Sequence, residues 1–181
     1  MPLPEVRSGT WAEALLSFVQ RYPGVHLREI RRRLAIPIGT LDYHLYQLGR
    51  KGLIAVRFQG GYKCCFPETP PGFGTPIPEE VMLLLALLRQ EVPRAILLQL
   101  YLDGPMAPAQ LGAAIDTTGS NLSYFLKRLE GAGVLVREGQ GPHRSIRLVD
   151  PVRVHEILLR YPPLPDGSLD RFTRFWSELH P

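Results

Sequence analysis

Apolar positions recur every three or four residues through much of this chain, and the phase is broken at regular places. Leu15, Leu16, Phe18 and Val19 give one face of a helix over 11–21, and Thr10 and Glu13 form a capping box at its start. Pro23-Gly24 stops it. Leu27, Ile30 and Leu34 predict a short helix over 26–35. A turn at 36–39 then leads to a third helix over 40–51 that carries Leu41, Leu45 and Leu48 inward and ends at Gly52. LIAVRFQ, Gly60-Gly61 and YKCCF read as a β-hairpin.

The pattern then recurs. At a shift of 81 residues Leu41 falls on Leu122, Tyr43 on Tyr124, Leu45 on Leu126, Leu48 on Leu129, Gly52 on Gly133 and Gly60 on Gly141. Conservative pairs such as Ile30/Leu111 and Lys63/Arg144 fill in without a gap. Helical periodicity and a turn glycine preserved together over about 50 residues point to two copies of one supersecondary unit. The second copy predicts helices over 93–101, 107–115 and 119–131, then a hairpin from VLVREGQ and HRSIRL.

Other segments lie outside the copies. Residues 68–78, in PETPPGFGTPIP, form a stiff spacer. A helix over 79–90 contains VMLLLALL and has to be buried on several sides. A helix over 151–161 follows, then PPLPDG, then a helix over 168–180 with Leu169, Phe172, Trp176 and Leu179 on one face. Three extra apolar helices exceed what two small cores need, so they are expected either to pack between the domains or to form a homodimer interface through the 79–90 or the 168–180 helix. The fold class expected is α+β and mainly helical, divided into residues 1–67, the 68–78 linker, 79–150 and a 151–181 helical extension.

Helix, helix, turn, helix and two-stranded hairpin is the winged helix-turn-helix order. The stretch PGVHLREIRRRLAIPIGTLDYHLYQLGRKGLIAVRFQGGYKCCFP (residues 23–67) resembles the winged-helix DNA-binding domains of ArsR/MarR-like transcriptional regulators. HLREIRRRLAI matches their second helix, and GTLDYHLYQLGRKGLI their recognition helix and its run into the wing. With the second copy, nearly the whole chain resembles prokaryotic regulators with two such domains in tandem, best known from archaea. The resemblance implies a DNA-binding transcriptional regulator with double-stranded DNA as partner.

Charge agrees with that implication. The chain is +4, but residues 1–67 hold ten Lys/Arg against four acids, a net +6; the remaining eleven bases and thirteen acids give −2. A basic first third on a near-neutral remainder points one end at a polyanion. A helix fits the major groove, so outward residues of the third helix reach base edges: Gly39, Thr40, Tyr43, His44 and Gln47. Arg28, Arg31 and Arg32 on the second helix, Arg50 and Lys51 at the end of the third, and Arg57 and Lys63 on the wing are placed for phosphates.

Tyr43 and His44 each admit a packing role as well. Asp42 repels phosphate unless it accepts from a cytosine amine. Pro37 stands where the family often has a Ser or Thr N-cap. The second copy offers Ser120, Asn121, Tyr124, Lys127 and Arg128 as DNA contacts, yet Arg31, Arg32 and Arg33 are replaced there by Gly112, Ala113 and Ala114. Such a small-residue helix suits close packing against the sister copy or a second chain.

The remaining chemistry is sparse. Cys64 and Cys65 are the only cysteines, which excludes a disulfide framework and makes a cytoplasmic location the simplest. On a strand their thiols point to opposite faces, which argues against a shared metal ion and leaves redox sensing by one exposed thiol as a thin alternative. No nucleotide-binding, nucleophile-elbow or zinc-protease motif is present, so neither catalysis nor a cofactor is expected. No apolar run approaches the ~20 residues of a membrane span. The competing reading is a tandem winged-helix interaction subunit that binds no DNA.

Overall fold

The computed structural model describes residues 11–69, 75–139, 141 and 144–161. Thr10 of the expected capping box, much of the 68–78 spacer and the whole 168–180 helix lie outside the described residues.

Helix α1 (Trp11–Arg21) buries Leu15 and Val19. The chain then turns through Gly24, at φ +81°, into a two-residue strand β1 (Val25–His26). That strand gives no periodic signal because it is too short to alternate. Helix α2 (Leu27–Leu34) follows and ends at Ala35 in the left-handed region, φ 51°.

Helix α3 (Ile38–Arg50) starts two residues earlier than its apolar spacing predicts. Pro37 explains the difference. It needs no side-chain cap to begin the helix, because its carbonyl accepts the first helical bond from Leu41 N at 2.9 Å. The expected turn residues Ile38 and Gly39 therefore belong to the first helical turn. Strands β2 (Ile54–Gln59) and β3 (Tyr62–Pro67) form the hairpin, closed by Gly60 and Gly61 at φ +58° and +87°. A two-residue loop with both φ values positive is what glycine pairs permit.

Next come α4 (Glu79–Leu88), α5 (Glu91–Asp103), α6 (Pro108–Ala114) and α7 (Gly119–Gly131). Strands β4 (Leu135–Glu138) and β5 (Ser145–Leu148) pair, and α8 (Pro151–Arg160) is capped by Asp150, which accepts from Arg153 N. The described residues thus form a mixed, mainly helical structure with two antiparallel sheets. No helix among the described residues is long and apolar enough to cross a membrane.

Backbone conformations keep the 81-residue spacing in detail. Left-handed Ala35 corresponds to left-handed Asp116, both at φ 51°. Gly52 corresponds to Gly133, and Gly60 to Gly141. The pairing of Val25 with Cys65 has its counterpart in a bridge between Met106 and Ile146.

The first sheet, in order β1-β3-β2, is covered on both faces. Cys65, Val25 and Ile54 join the core of α1, α2 and α3. Cys64 and Phe66 join a second core with α4, α5 and the residues beyond. The apolar stretch of α4 is therefore absorbed inside the chain. Leu84, Leu85, Ala86, Leu87 and Leu88 are all buried, so they are not free to form the dimer seam expected of 79–90.

The approach of α4 is close. A Cβ on Gly24 would stand 2.9 Å from backbone atoms of Leu85 and Ala86. Arg89, just past α4, is buried and donates from Nε to the Pro23 carbonyl at 3.0 Å, with its guanidinium over the Tyr22 ring. Burial pulls its pKa down to about 10.

Gly24→Ala combines a left-handed backbone with contact against unyielding backbone atoms, and it should cost about 2–4 kcal/mol in urea unfolding. Gly49→Ala, inside α3 with only Ile54 O nearby at 3.6 Å, should gain about 0.5–1 kcal/mol. Equal effects of the two substitutions would contradict the packing described.

Candidate nucleic-acid interface

The outward face of α3 follows from its inward one. With Leu41, Leu45 and Leu48 buried, Gly39, Asp42, Tyr43, Tyr46 and Arg50 are turned to solvent. Tyr43 is 60% exposed and Tyr46 62%. Thr40, His44 and Gln47 are half-buried along one flank. Tyr43 meets His44 edge-on at 5.2 Å, and the Arg50 guanidinium lies over the Tyr46 ring at 5.9 Å. No described element of the chain hides this stripe.

Tyr46 is absent from the residues that sequence reasoning selects, although its spacing from Tyr43 and Arg50 places it on the same stripe. Phe58, on the wing, is likewise absent from them and is 72% exposed. An exposed phenyl on a strand is itself an informative signal, since alternation alone assigns it to a core.

The basic residues differ in their freedom. Arg28 and Arg31 of α2 are exposed. Arg32, also exposed, is bound to Glu29 at 2.7 Å, and Arg33 joins the same carboxylate at 2.6 Å. Partial burial pushes the Glu29 carboxyl up, but the bonds and charges of Arg32 and Arg33 outweigh it and hold the group below its usual range. Arg32 is thus part-neutralised within its own helix. Lys51 is exposed at the C-terminal cap of α3.

On the hairpin, the register pairs Arg57 with Cys64 and Phe58 with Lys63. Side chains of paired residues share a face, so Arg57 and Lys63 lie on opposite faces of the wing. Arg57 is also 3.6 Å from Glu68. Lys63 lies on the face whose base meets the helices of the first core, beside Phe58 and Val56.

In the second half, Thr118 caps α7 by accepting from Asn121 N, and Asn121 donates to Thr117 Oγ1 at 3.1 Å. Ser120, Asn121 and Lys127 are exposed, as is Tyr124 at 53%. Arg128 is half-buried and donates to Tyr124 OH at 3.1 Å and to the Gly60 carbonyl at 2.5 Å. That bond joins α7 to the tip of the first hairpin. Of the second copy's expected contacts, Arg128 is the one the structure places within the molecule rather than outward.

His26 lies on the same side of the first sheet. It stacks on Tyr62 at 4.7 Å and hydrogen-bonds the Ala86 backbone. Desolvation lowers its pKa, the Ala86 bond and Glu29 oppose the shift, and Arg128 adds to it.

The paired thiols are not a sensor surface. Cys64 and Cys65 are both wholly buried, which overturns the thin alternative of one exposed reactive thiol. Burial raises Cys64 to about 11, and burial together with its neighbour raises Cys65 to about 12. Among the described residues no group of three or more His, Cys, Asp and Glu side chains could hold a metal ion.

No protein-family profile matches the chain. An uncharacterized HTH-type transcriptional regulator of Methanocaldococcus jannaschii is 25% identical over 127 residues, which cover 70% of this chain and 30% of that protein. The chain is similar to a helix-turn-helix transcriptional regulator. It spans less than a third of that relative's length. Among solved structures, a transcriptional regulator of Thermotoga maritima superposes with a TM-score of 0.36 at 21% identity, over 57% of this chain and 71% of its own. AbfR, overoxidized and bound to DNA, gives 0.36 at 20% identity, over 84% of this chain and 97% of its own. These scores describe partial superpositions only.

The buried thiols and His26 each have a measurable consequence. At about pH 8 the folded protein should give no reaction with Ellman's reagent, and both thiols should react once it is unfolded; one thiol titrating in the folded state would contradict their burial. His26 is held neutral by the fold, so the unfolded chain takes up its proton first as pH falls. The stability due to that neutrality is fully present above the unfolded value near 6.5 and is lost below it. Urea midpoints should therefore decline between about pH 7.5 and pH 5.5, less so in His26→Phe, and an identical decline in both would remove His26 as a cause.

Proposed function

We propose that the chain is a cytoplasmic DNA-binding transcriptional regulator built from two tandem winged helix-turn-helix modules, 1–67 and 79–150, with the spacer and 151–181 as connecting and flanking parts. The first module reads duplex DNA. Helix α3 enters the major groove, Thr40, Tyr43, His44, Tyr46 and Gln47 meet bases or sugars, and Arg28, Arg31, Arg50, Lys51 and Lys63 neutralise phosphates. The observation that carries this reading is the uncovered stripe of α3, where Tyr43, Tyr46 and Arg50 stand exposed, as do Arg28 and Arg31 on the preceding helix. The helix-turn-helix regulator that the chain resembles gives the same direction.

The second module organises the first. Its α7 matches α3 residue for residue in length, but Arg128 is turned onto the wing tip, and α6 has no cation to hold a phosphate. Ser120, Asn121, Tyr124 and Lys127 remain its outward residues. A homodimer through the 168–180 segment fits the symmetric half-sites that dimeric helix-turn-helix proteins use.

The test is binding of the full chain to mixed-sequence duplex DNA across a salt series, read by fluorescence anisotropy. Wild-type affinity should fall steeply with salt. Replacing Arg31, Arg50 and Lys63 by Gln should flatten the log–log slope by about 0.9 for each phosphate these side chains neutralise. Absence of duplex binding at low salt would overturn the reading and favour the interaction subunit.

A further inference from the structure

We infer that Phe58 is an apolar wedge that enters a base step of duplex DNA from the minor groove and bends it. The inference rests on the reading of α3 and its hairpin as a duplex-binding face. Phe58 is the most exposed of the large hydrophobic residues described, at 72%. It stands on β2, two residues before the hairpin turn, and its cross-strand partner is Lys63.

The pleat fixes which way it faces. Phe58, Val56, Lys63 and Cys65 share one side of the hairpin, and at the base of that side Cys65 and Ile54 press on α1, α2 and α3. Arg57, Tyr62 and Cys64 share the other side, where Cys64 joins the α4 core and Tyr62 stacks on His26. The phenyl is therefore carried on the helical side of the wing, away from the second half of the chain.

Three features suit a wedge rather than a solvated aromatic. Lys63 lies directly opposite the ring, so a cation accompanies it to the phosphates flanking a base step. The tip is thin on its free side, because Gly61 carries no side chain and nothing lies within 4 Å of where its Cβ would stand, and a minor groove is only about 6 Å wide. From behind, the Arg128 guanidinium holds the Gly60 carbonyl at 2.5 Å, which braces the hairpin against swinging away under load. Inserted phenyl rings unstack a step and kink the duplex toward the major groove. The ring and Lys63 stand on the part of the chain that carries a net +6, a charge that the phosphates of a duplex complement.

The test is energy transfer between dyes at the two ends of a duplex of about 25 base pairs, selected by the wild-type protein from a random pool. Saturating wild-type protein should raise transfer above that of free duplex. Phe58→Ala should weaken binding by a common factor at every salt concentration and return transfer to the free-duplex value, while Phe58→Leu should keep most of the bend. Equal transfer with wild type and Phe58→Ala, or binding by wild type without any rise, would overturn the wedge and leave the duplex reading standing. A wild-type chain that selects no duplex would overturn both. A change in sedimentation of Phe58→Ala without DNA, with its bending intact, would assign the ring to contact between copies and likewise overturn the wedge.

Discussion

Burial of both faces of the first sheet is the constraint on which the rest of the structure depends. Successive residues of a strand point to opposite sides. Cys64 and Cys65 are consecutive and both wholly buried, so each side of β3 needs its own cover. The helices α1, α2 and α3 supply one, and α4 with the core behind it supplies the other. The fit of α4 against the turn before β1 then demands a residue without a Cβ at position 24, and it brings the buried Arg89 to the Pro23 carbonyl.

From that arrangement come the different surroundings of α3 and α7. Both α3 and α7 are thirteen residues long and bury leucines at the same spacing. Docking through one side of the sheet leaves the outer stripe of α3 in solvent, but it brings α7 up to the wing, where Arg128 finds a backbone acceptor. Charge follows the same division. The arginines lie on α2, the helix that precedes α3, and small residues occupy the matching positions of α6. The first half thus presents a basic, aromatic surface, and Arg128 ties its wing tip to α7.

Much of this is legible in the chain without coordinates. The limits of α7 follow from Thr118 as its cap and the glycines at its end, and the hairpin from Gly60-Gly61. The opposed thiols follow from strand alternation. Other features carry no periodic trace. Strand β1 is two residues long, and α3 begins through a proline carbonyl, which leaves no side-chain cap to mark the start. What covers Cys64 depends on a helix more than a dozen residues away, and the bond from Arg128 to Gly60 spans 68 positions. At the site itself, the helical spacing that identifies Tyr43 also contains Tyr46, but polar donors are the stronger sign of base contact. Phe58 reads as core because strand alternation cannot tell a hairpin's base from its tip.

The most direct measurement is hydroxyl-radical footprinting of the full chain with and without saturating duplex DNA, read at individual aromatic side chains. A first module that meets the duplex requires Tyr43 and Tyr46 to lose reactivity when DNA is added, with Tyr124 unchanged. Protection of Tyr124 with Tyr43 and Tyr46 still fully reactive would contradict the account, because the duplex would then lie on the half assigned to bracing.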